Sequence, residues 1–168
     1  MTTATRFDPV GQLGVLVRHG IRFVLIGGFA GKFWGSPTIT TDIDICYARD
    51  KENLDALASA LRELGATLRG APADLPFRLD GKTLAAGDHF TFSTRLGELD
   101  CLGTPQGSSG FAELDRNATS FDLEGFAVRV VSLDDLIRMK RAAGRPKDRI
   151  EVEVLGALRE EIERRSER

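Results

Sequence analysis

The period of apolar and polar positions changes several times along the chain, and each change marks an element. From Asp8 the run DPVGQLGVLVRHG places Val10, Leu13 and Val17 on one helical face, with Asp8 as N-cap and Pro9 at the first helical position. IRFVLIGG, residues 21–28, is an apolar β-prone run that stops at two glycines, as a buried strand does before a tight turn. FAGKFWG, 29–35, predicts a short helix behind that turn, and the Pro- and Thr-rich SPTITT, 36–41, predicts an extended or looped segment. In DIDICY, 42–47, Asp42, Asp44 and Cys46 alternate with Ile43, Ile45 and Tyr47, so a strand there has two unlike faces. Asp50 then caps a helix whose Leu54, Leu57, Leu61 and Leu64 recur at helical spacing until Gly65 stops it.

From Thr67 to Thr104 the pattern shortens. HFTFSTR (89–95) and GELDCLG (97–103) predict antiparallel extension of the sheet, and no helix is expected in this stretch. TPQGSSG, 104–110, reads as loop. The strand candidate FAVRVVS, 126–132, leads to a helical tail that Ser132 and Asp135 open in capping-box order and that Gly144–Pro146 divides into two helices. The ending REEIERRSER reads as a solvated helix end that frays. Together these elements predict an α/β (α+β) chain with a helical C-terminal tail. One domain is expected over 1–168, with a core at about 21–132 and the tail at about 133–165.

Composition narrows the function classes. The 168 residues are 42% hydrophobic, enough to bury one core. With 23 Lys+Arg against 25 Asp+Glu the formal net charge is −2, so the molecule as a whole has no pull toward nucleic acid or membrane, and an anionic ligand must be held locally. Two cysteines, Cys46 and Cys101, exclude a disulfide scaffold, and neither pairs with His19 or His89 at metal-ligand spacing. Met1 to Pro9 has no apolar signal core and no apolar run approaches a bilayer span, so a soluble cytoplasmic protein with no membrane association is expected.

The chemistry centres on carboxylates. Asp42 and Asp44, two apart on a strand, project from the same face. Carboxylates so placed repel, and a fold that keeps them together supplies a divalent cation, a basic partner or water. Hard oxygen donors favour magnesium or manganese. The plain alternative is the wet face of an edge strand. Asp100, between Leu99 and Cys101, is a third candidate: if its strand adjoins 42–47, three carboxylates converge, a set able to hold two metal ions. Upstream, Gly27 and Gly28 leave backbone amides near a helix start, where phosphate sits.

VLIGG, then TTDIDIC, then ELDCL resembles the nucleotidyltransferase superfamily, with its DNA polymerase beta-like fold: an apolar strand, a Gly-Gly or Gly-Ser turn, an acid-x-acid pair and a later single acid. The tail DDLIRMKRAAGRPKDRIEVEVL is similar to that of small bacterial proteins related to the abortive-infection toxin type. The resemblance runs from about Ile21 to Leu155. It implies a mixed sheet that carries the acids at one edge with helices packed on one face, and transfer of a nucleoside monophosphate from a nucleoside triphosphate to an acceptor, with release of pyrophosphate. It implies that Gly27 and Gly28 cradle phosphates, that Asp42 and Asp44 bind Mg2+ or Mn2+, and that Asp100 completes the site and is placed to accept the acceptor's proton. Gly28 stands where a serine is common, which removes one hydroxyl contact to phosphate.

Lys140, Arg141, Arg145 and Lys147 form a basic cluster, which in the similar proteins lies near the active site. Lys140 and Arg145 are therefore expected as ligand contacts; the alternative is a solvated helix end with Asp148 pairing locally. Lys32 and Thr41 are further substrate-binding candidates, although a surface lysine and a turn hydroxyl explain them equally. Trp34 and the phenylalanines read as core or pocket wall. The acceptor is left open among a protein hydroxyl, a transfer RNA end and a small molecule such as an aminoglycoside. A toxin-type protein would have an antitoxin partner. Two readings from other classes stay open: a catalytically degenerate nucleotide-binding domain, and an interaction module with an acidic strand.

Overall fold

The computed structural model describes residues 6–168. Their strands form one seven-stranded mixed sheet, which starts from a run buried along its whole length, β1 (Phe23–Ile26). The run ends where Gly27 takes φ 72°, and α2 (Gly27–Phe33) begins at that glycine rather than two residues later as the pattern predicts. β2 (Asp42–Tyr47) returns antiparallel to β1, and α3 (Lys51–Glu63) follows, capped by Asp50 through Asn53 N. The opening helix α1 (Pro9–Arg18) has its expected cap, Asp8 accepting from Gly11 N at 2.9 Å.

β3 (Thr67–Leu68), β4 (His89–Thr94) and β5 (Gly97–Leu102) extend the sheet by antiparallel pairing, as expected. The same stretch also holds a helix that the pattern does not predict, α4 (Gly81–Ala86), started by the Asp80 carboxylate on Thr83 N and buried through Leu84. Six residues are too few to display a 3.6-residue period. α5 (Phe111–Asn117) and β6 (Thr119–Leu123) likewise escape the reading, their single buried residue being Leu114. β7 (Phe126–Val130) leads to α6 (Leu133–Ala143), where Ser132 caps Asp135 N as predicted. Gly144 ends α6 at φ 64°, and α7 (Pro146–Ser166) runs on through the segment expected to fray. Ion pairs of Arg164 and Arg165 with Glu161, each at 3.0 Å, hold that last stretch helical although it is exposed.

The strand order is β3-β4-β5-β2-β1-β7-β6, with β5-β2 and β1-β7 parallel. This corrects the expectation that the acids lie at an edge, because β5 and β2 are the third and fourth of seven strands. Laterally paired residues share a face. Phe92, Leu99, Ile43, Ile45 and Leu25 therefore line one side, all fully buried. Their burial on both sides of β2 holds it in the centre of the sheet. The opposite face carries Thr91, Asp100, Asp44 and Ile26 in one row, and α6 reaches over it with Leu136 and Met139. One hydrophobic cluster extends from Leu13 to Leu155, which ties the tail helices to the sheet.

Candidate active site

Parallel pairing of β2 with β5 sets Asp44 directly beside Asp100 and Asp42 beside Glu98. One carboxylate oxygen from each of Asp42, Asp44 and Asp100 lies within 4.8 Å of the others, so the three acids converge as the sequence pattern anticipated. Burial first, then the charges of Asp42 and Asp100 and a hydrogen bond to Asp100, push Asp44 up to about 8, with Lys140 acting against the shift. At neutral pH the cluster thus keeps a proton where a divalent cation could replace it. All three donors are hard carboxylate oxygens, and the set fits Mg2+ or Mn2+.

Gly27 meets this cluster from the side. A Cβ at position 27 would collide with the Asp44 carboxylate, and φ is 72° there, so glycine is required twice over. At Gly28 a Cβ would press on Thr40 at 3.3 Å. Thr40 in turn donates to Asp42 Oδ1 at 3.1 Å and so orients one of the three acids.

Gly27, Asp44 and Asp100 line a cavity of about 550 Å3. Lys140 and Arg145 stand in its wall, where the resemblance expected ligand contacts. What the structure shows directly is the local pairing: Asp148, fully buried, receives Arg145 Nε at 2.7 Å and lies 3.7 Å from Lys140 Nζ. Burial works against the charge of Asp148, yet the Arg145 guanidinium holds its carboxyl below the ordinary range. The knot is not a solvated helix end but two cations fixed about a buried anion at the cavity wall. Arg145 is raised chiefly by Asp148, with smaller contributions from Asp44 and Asp42, so the two clusters feel each other.

The remaining candidates separate. Gly28, Asp42, Lys32 and Thr41 are not in the cavity wall, although Asp42 belongs to the carboxylate cluster; Lys32 and Thr41 are exposed. Trp34 is structural, its indole N–H donating to Val131 O at 2.9 Å and its ring edge-on to Phe121. Cys46 and Cys101 are free thiols, both fully buried, and burial pushes Cys46 up to about 12.

Three charged residues at the site went unrecognised in the sequence. Arg69 donates to Asp100 Oδ1 at 2.8 Å. Asp148 was weighed only as a local partner. Glu151, 3% exposed, accepts from the hydroxyls of Ser36 and Thr38 and so fastens α7 to the loop before Asp42. A signal for the last two exists: Asp148, Glu151 and Leu155 follow helical spacing and are the buried positions of α7. Two acids on the buried stripe of a helix announce partners. For Arg69 the signal is slight, since β3 has only two residues.

No family model matches the sequence, and no curated protein is similar to it by sequence. Solved structures are similar to it. A lincosamide antibiotic adenylyltransferase, LnuA, crystallised with lincomycin, superposes with a TM-score of 0.62 at 13% identity over 92% of this chain and 99% of its own. The antibiotic-resistance factor ANT(2'')-Ia, in complex with adenylyl-2''-tobramycin, gives 0.51 at 17% identity over 92% and 94%. A Thermotoga maritima protein assigned as a nucleotidyltransferase gives 0.53 at 15% identity over 95% and 97%. The chain therefore has the nucleotidyltransferase fold.

Proposed function

We propose that the protein is a metal-dependent nucleotidyltransferase that moves a nucleoside monophosphate from a nucleoside triphosphate to an acceptor hydroxyl. The observation that carries this reading is that one cavity is lined both by two of three converged carboxylates, Asp44 and Asp100, and by a cation pair held on a buried aspartate. Asp42, Asp44 and Asp100 would hold Mg2+ or Mn2+, which when bound neutralises phosphate charge and polarises the reacting phosphoryl group. Gly27 and Gly28 leave room for phosphate oxygens against first-turn amides that have no intrahelical acceptor. Lys140 and Arg145 bind the triphosphate, held in position by Asp148. Lys32 and Thr41 are assigned as outer nucleotide contacts. In the transfer the acceptor oxygen forms a bond to the α-phosphorus as the bond to pyrophosphate breaks. The hydroxyl proton passes to a carboxylate of the cluster. The chain's own contribution is positioning and charge complementarity.

A cavity of about 550 Å3 lies within the range of small-molecule sites. The net charge of −2 disfavours a long RNA footprint, because each neutralised phosphate needs a cation. Both features favour a small hydroxylated acceptor, the kind of molecule that the antibiotic-modifying neighbours modify. The narrower reading as an abortive-infection-type toxin with an antitoxin rests on the tail sequence alone. The test is calorimetric titration of each ribonucleoside triphosphate with magnesium and then with chelator, beside Asp42→Ala/Asp44→Ala. Binding that needs both metal and aspartates is expected; equal binding in chelator or in the variant overturns the reading.

A further inference from the structure

The sheet register places a fourth charged residue in the row of the acids. Beyond β3 the backbone N–H of Arg69 still bonds Thr91 O at 2.9 Å, so Arg69 continues the ladder opposite Thr91. Thr91 pairs with Asp100 and Asp100 with Asp44, which makes Arg69, Thr91, Asp100 and Asp44 successive members of one line across the sheet. On that line the Arg69 side chain reaches past Thr91, and its Nη2 donates both to Asp100 Oδ1 at 2.8 Å and to the Phe92 carbonyl at 3.0 Å. Its Nε lies 3.4 Å from Glu98 Oε1. The guanidinium is thus fixed by hydrogen bonds to the backbone of β4 and to Asp100 of β5, while its buried Nε makes no hydrogen bond and has Glu98 only as a nearby charge. Its side chain is 28% exposed and that of Asp100 16%, so neither is free to swing in water.

A carboxylate has two oxygens and one rotation about its Cβ–Cγ bond. With Oδ1 engaged by Arg69, that rotation is restrained, and Asp100 still offers a carboxylate oxygen to the cluster with Asp42 and Asp44. Partners of this kind, which grip a ligand rather than the metal, orient ligands and tune affinity. Arg suits the task because the two N–H groups of Nη2 are held in the guanidinium plane, one for the carbonyl and one for the carboxylate, whereas a lysine ammonium rotates freely on a flexible stem.

We propose that Arg69 is a positioning residue for the metal site: it locks Asp100 so that one carboxylate oxygen is presented to the cation held by Asp42 and Asp44. The proposal rests on the metal-site reading above, and the experiment separates the two. Mn2+ is titrated into the full-length protein without nucleotide, and free Mn2+ is followed by electron paramagnetic resonance. The wild type is compared with Asp42→Asn, Asp100→Asn, Arg69→Met and the Arg69→Met/Asp100→Asn double variant. Arg69→Met is expected to weaken Mn2+ binding about tenfold. In the Asp100→Asn background the same change is expected to cost nothing further, because Arg69 acts through Asp100.

An unchanged affinity in Arg69→Met overturns the proposal, and so do losses that simply add, since a merely structural role at the β3–β4 edge would be independent of Asp100. Wild-type Mn2+ binding in Asp42→Asn and Asp100→Asn overturns the metal reading itself, and the Arg69 proposal with it. Should Arg69→Met fail to fold, Arg69→Lys carries the same cycle. It keeps the charge but loses the fixed plane that aims the two Nη2 donors, so a smaller loss that vanishes in the Asp100→Asn background is expected.

Discussion

Two charge clusters border the same cavity and are built in opposite ways. On the sheet, three carboxylates crowd together with Arg69 on one flank, and Asp44 is driven up to about 8. On the tail, two cations share one buried carboxylate, and Asp148 is drawn below its ordinary range. The first cluster is under-compensated and gains from an added cation. The second keeps its shape without a ligand while leaving Arg145, whose side chain is 58% exposed, free to meet an anion. The difference matches the proposed roles of the sheet in holding metal and of the tail in meeting phosphate, and substitutions on each side should behave differently.

The largest effect is expected on the sheet side. Asp44→Asn should lower transfer by about 10^2–10^3-fold, the scale for removing a preorganised electrostatic group, with the fold intact by circular dichroism. A turnover within a few-fold of wild type would erase the distinction between the clusters. On the tail side the cost should fall on stability instead. Asp148→Asn leaves the half-buried Lys140 without its partner and should destabilise the protein by about 2–3 kcal/mol, read by urea unfolding, while raising the KM for nucleoside triphosphate.

The pH dependence sharpens the contrast. A carboxyl whose folded-state value lies above its unfolded value of about 3.9 binds its proton more tightly in the folded protein. The stability contributed by Asp44 is therefore present at low pH and is lost as pH rises toward about 8. In metal-free protein at pH 8, Asp44→Asn should raise the Tm by about 4 °C, and saturating Mg2+ should cancel the difference. A Tm gap that persists with Mg2+ would mean that Asp44 does not meet the ion.

Smaller effects test the join between the clusters. Thr38→Val removes a hydroxyl donor to Glu151 and should cost about 1 kcal/mol. Lys32→Ala, at an exposed position outside the cavity wall, should raise the KM for nucleoside triphosphate by only about twofold.

Local signals carried much of this. The caps at Asp8, Asp50 and Ser132, the strand ending at Gly27, the alternation in DIDICY and the break at Gly144 each follow from interactions within a few residues, and each reappears in the structure. Where elements are short, as in α4 or β3, the chain is too brief to show a period, and those elements were missed or left vague. The site divides the same way. Asp42 and Asp44 share a face by strand geometry alone, so their pairing is written in two residues. That Asp100 stands beside Asp44 depends on a parallel pairing between strands more than fifty residues apart.

The sequence by itself determined which residues could carry the chemistry: three acids, a glycine turn and a basic stretch, each tied to its own strand or helix by local backbone preference. Only the tertiary structure decided that β2 sits at the centre of the sheet, that Arg69 reaches Asp100, and that Asp148 draws Lys140 and Arg145 to the cavity wall. Charge interactions act through space at a few ångströms. Distance along the chain says nothing of them until hydrophobic burial has brought the strands and the tail together.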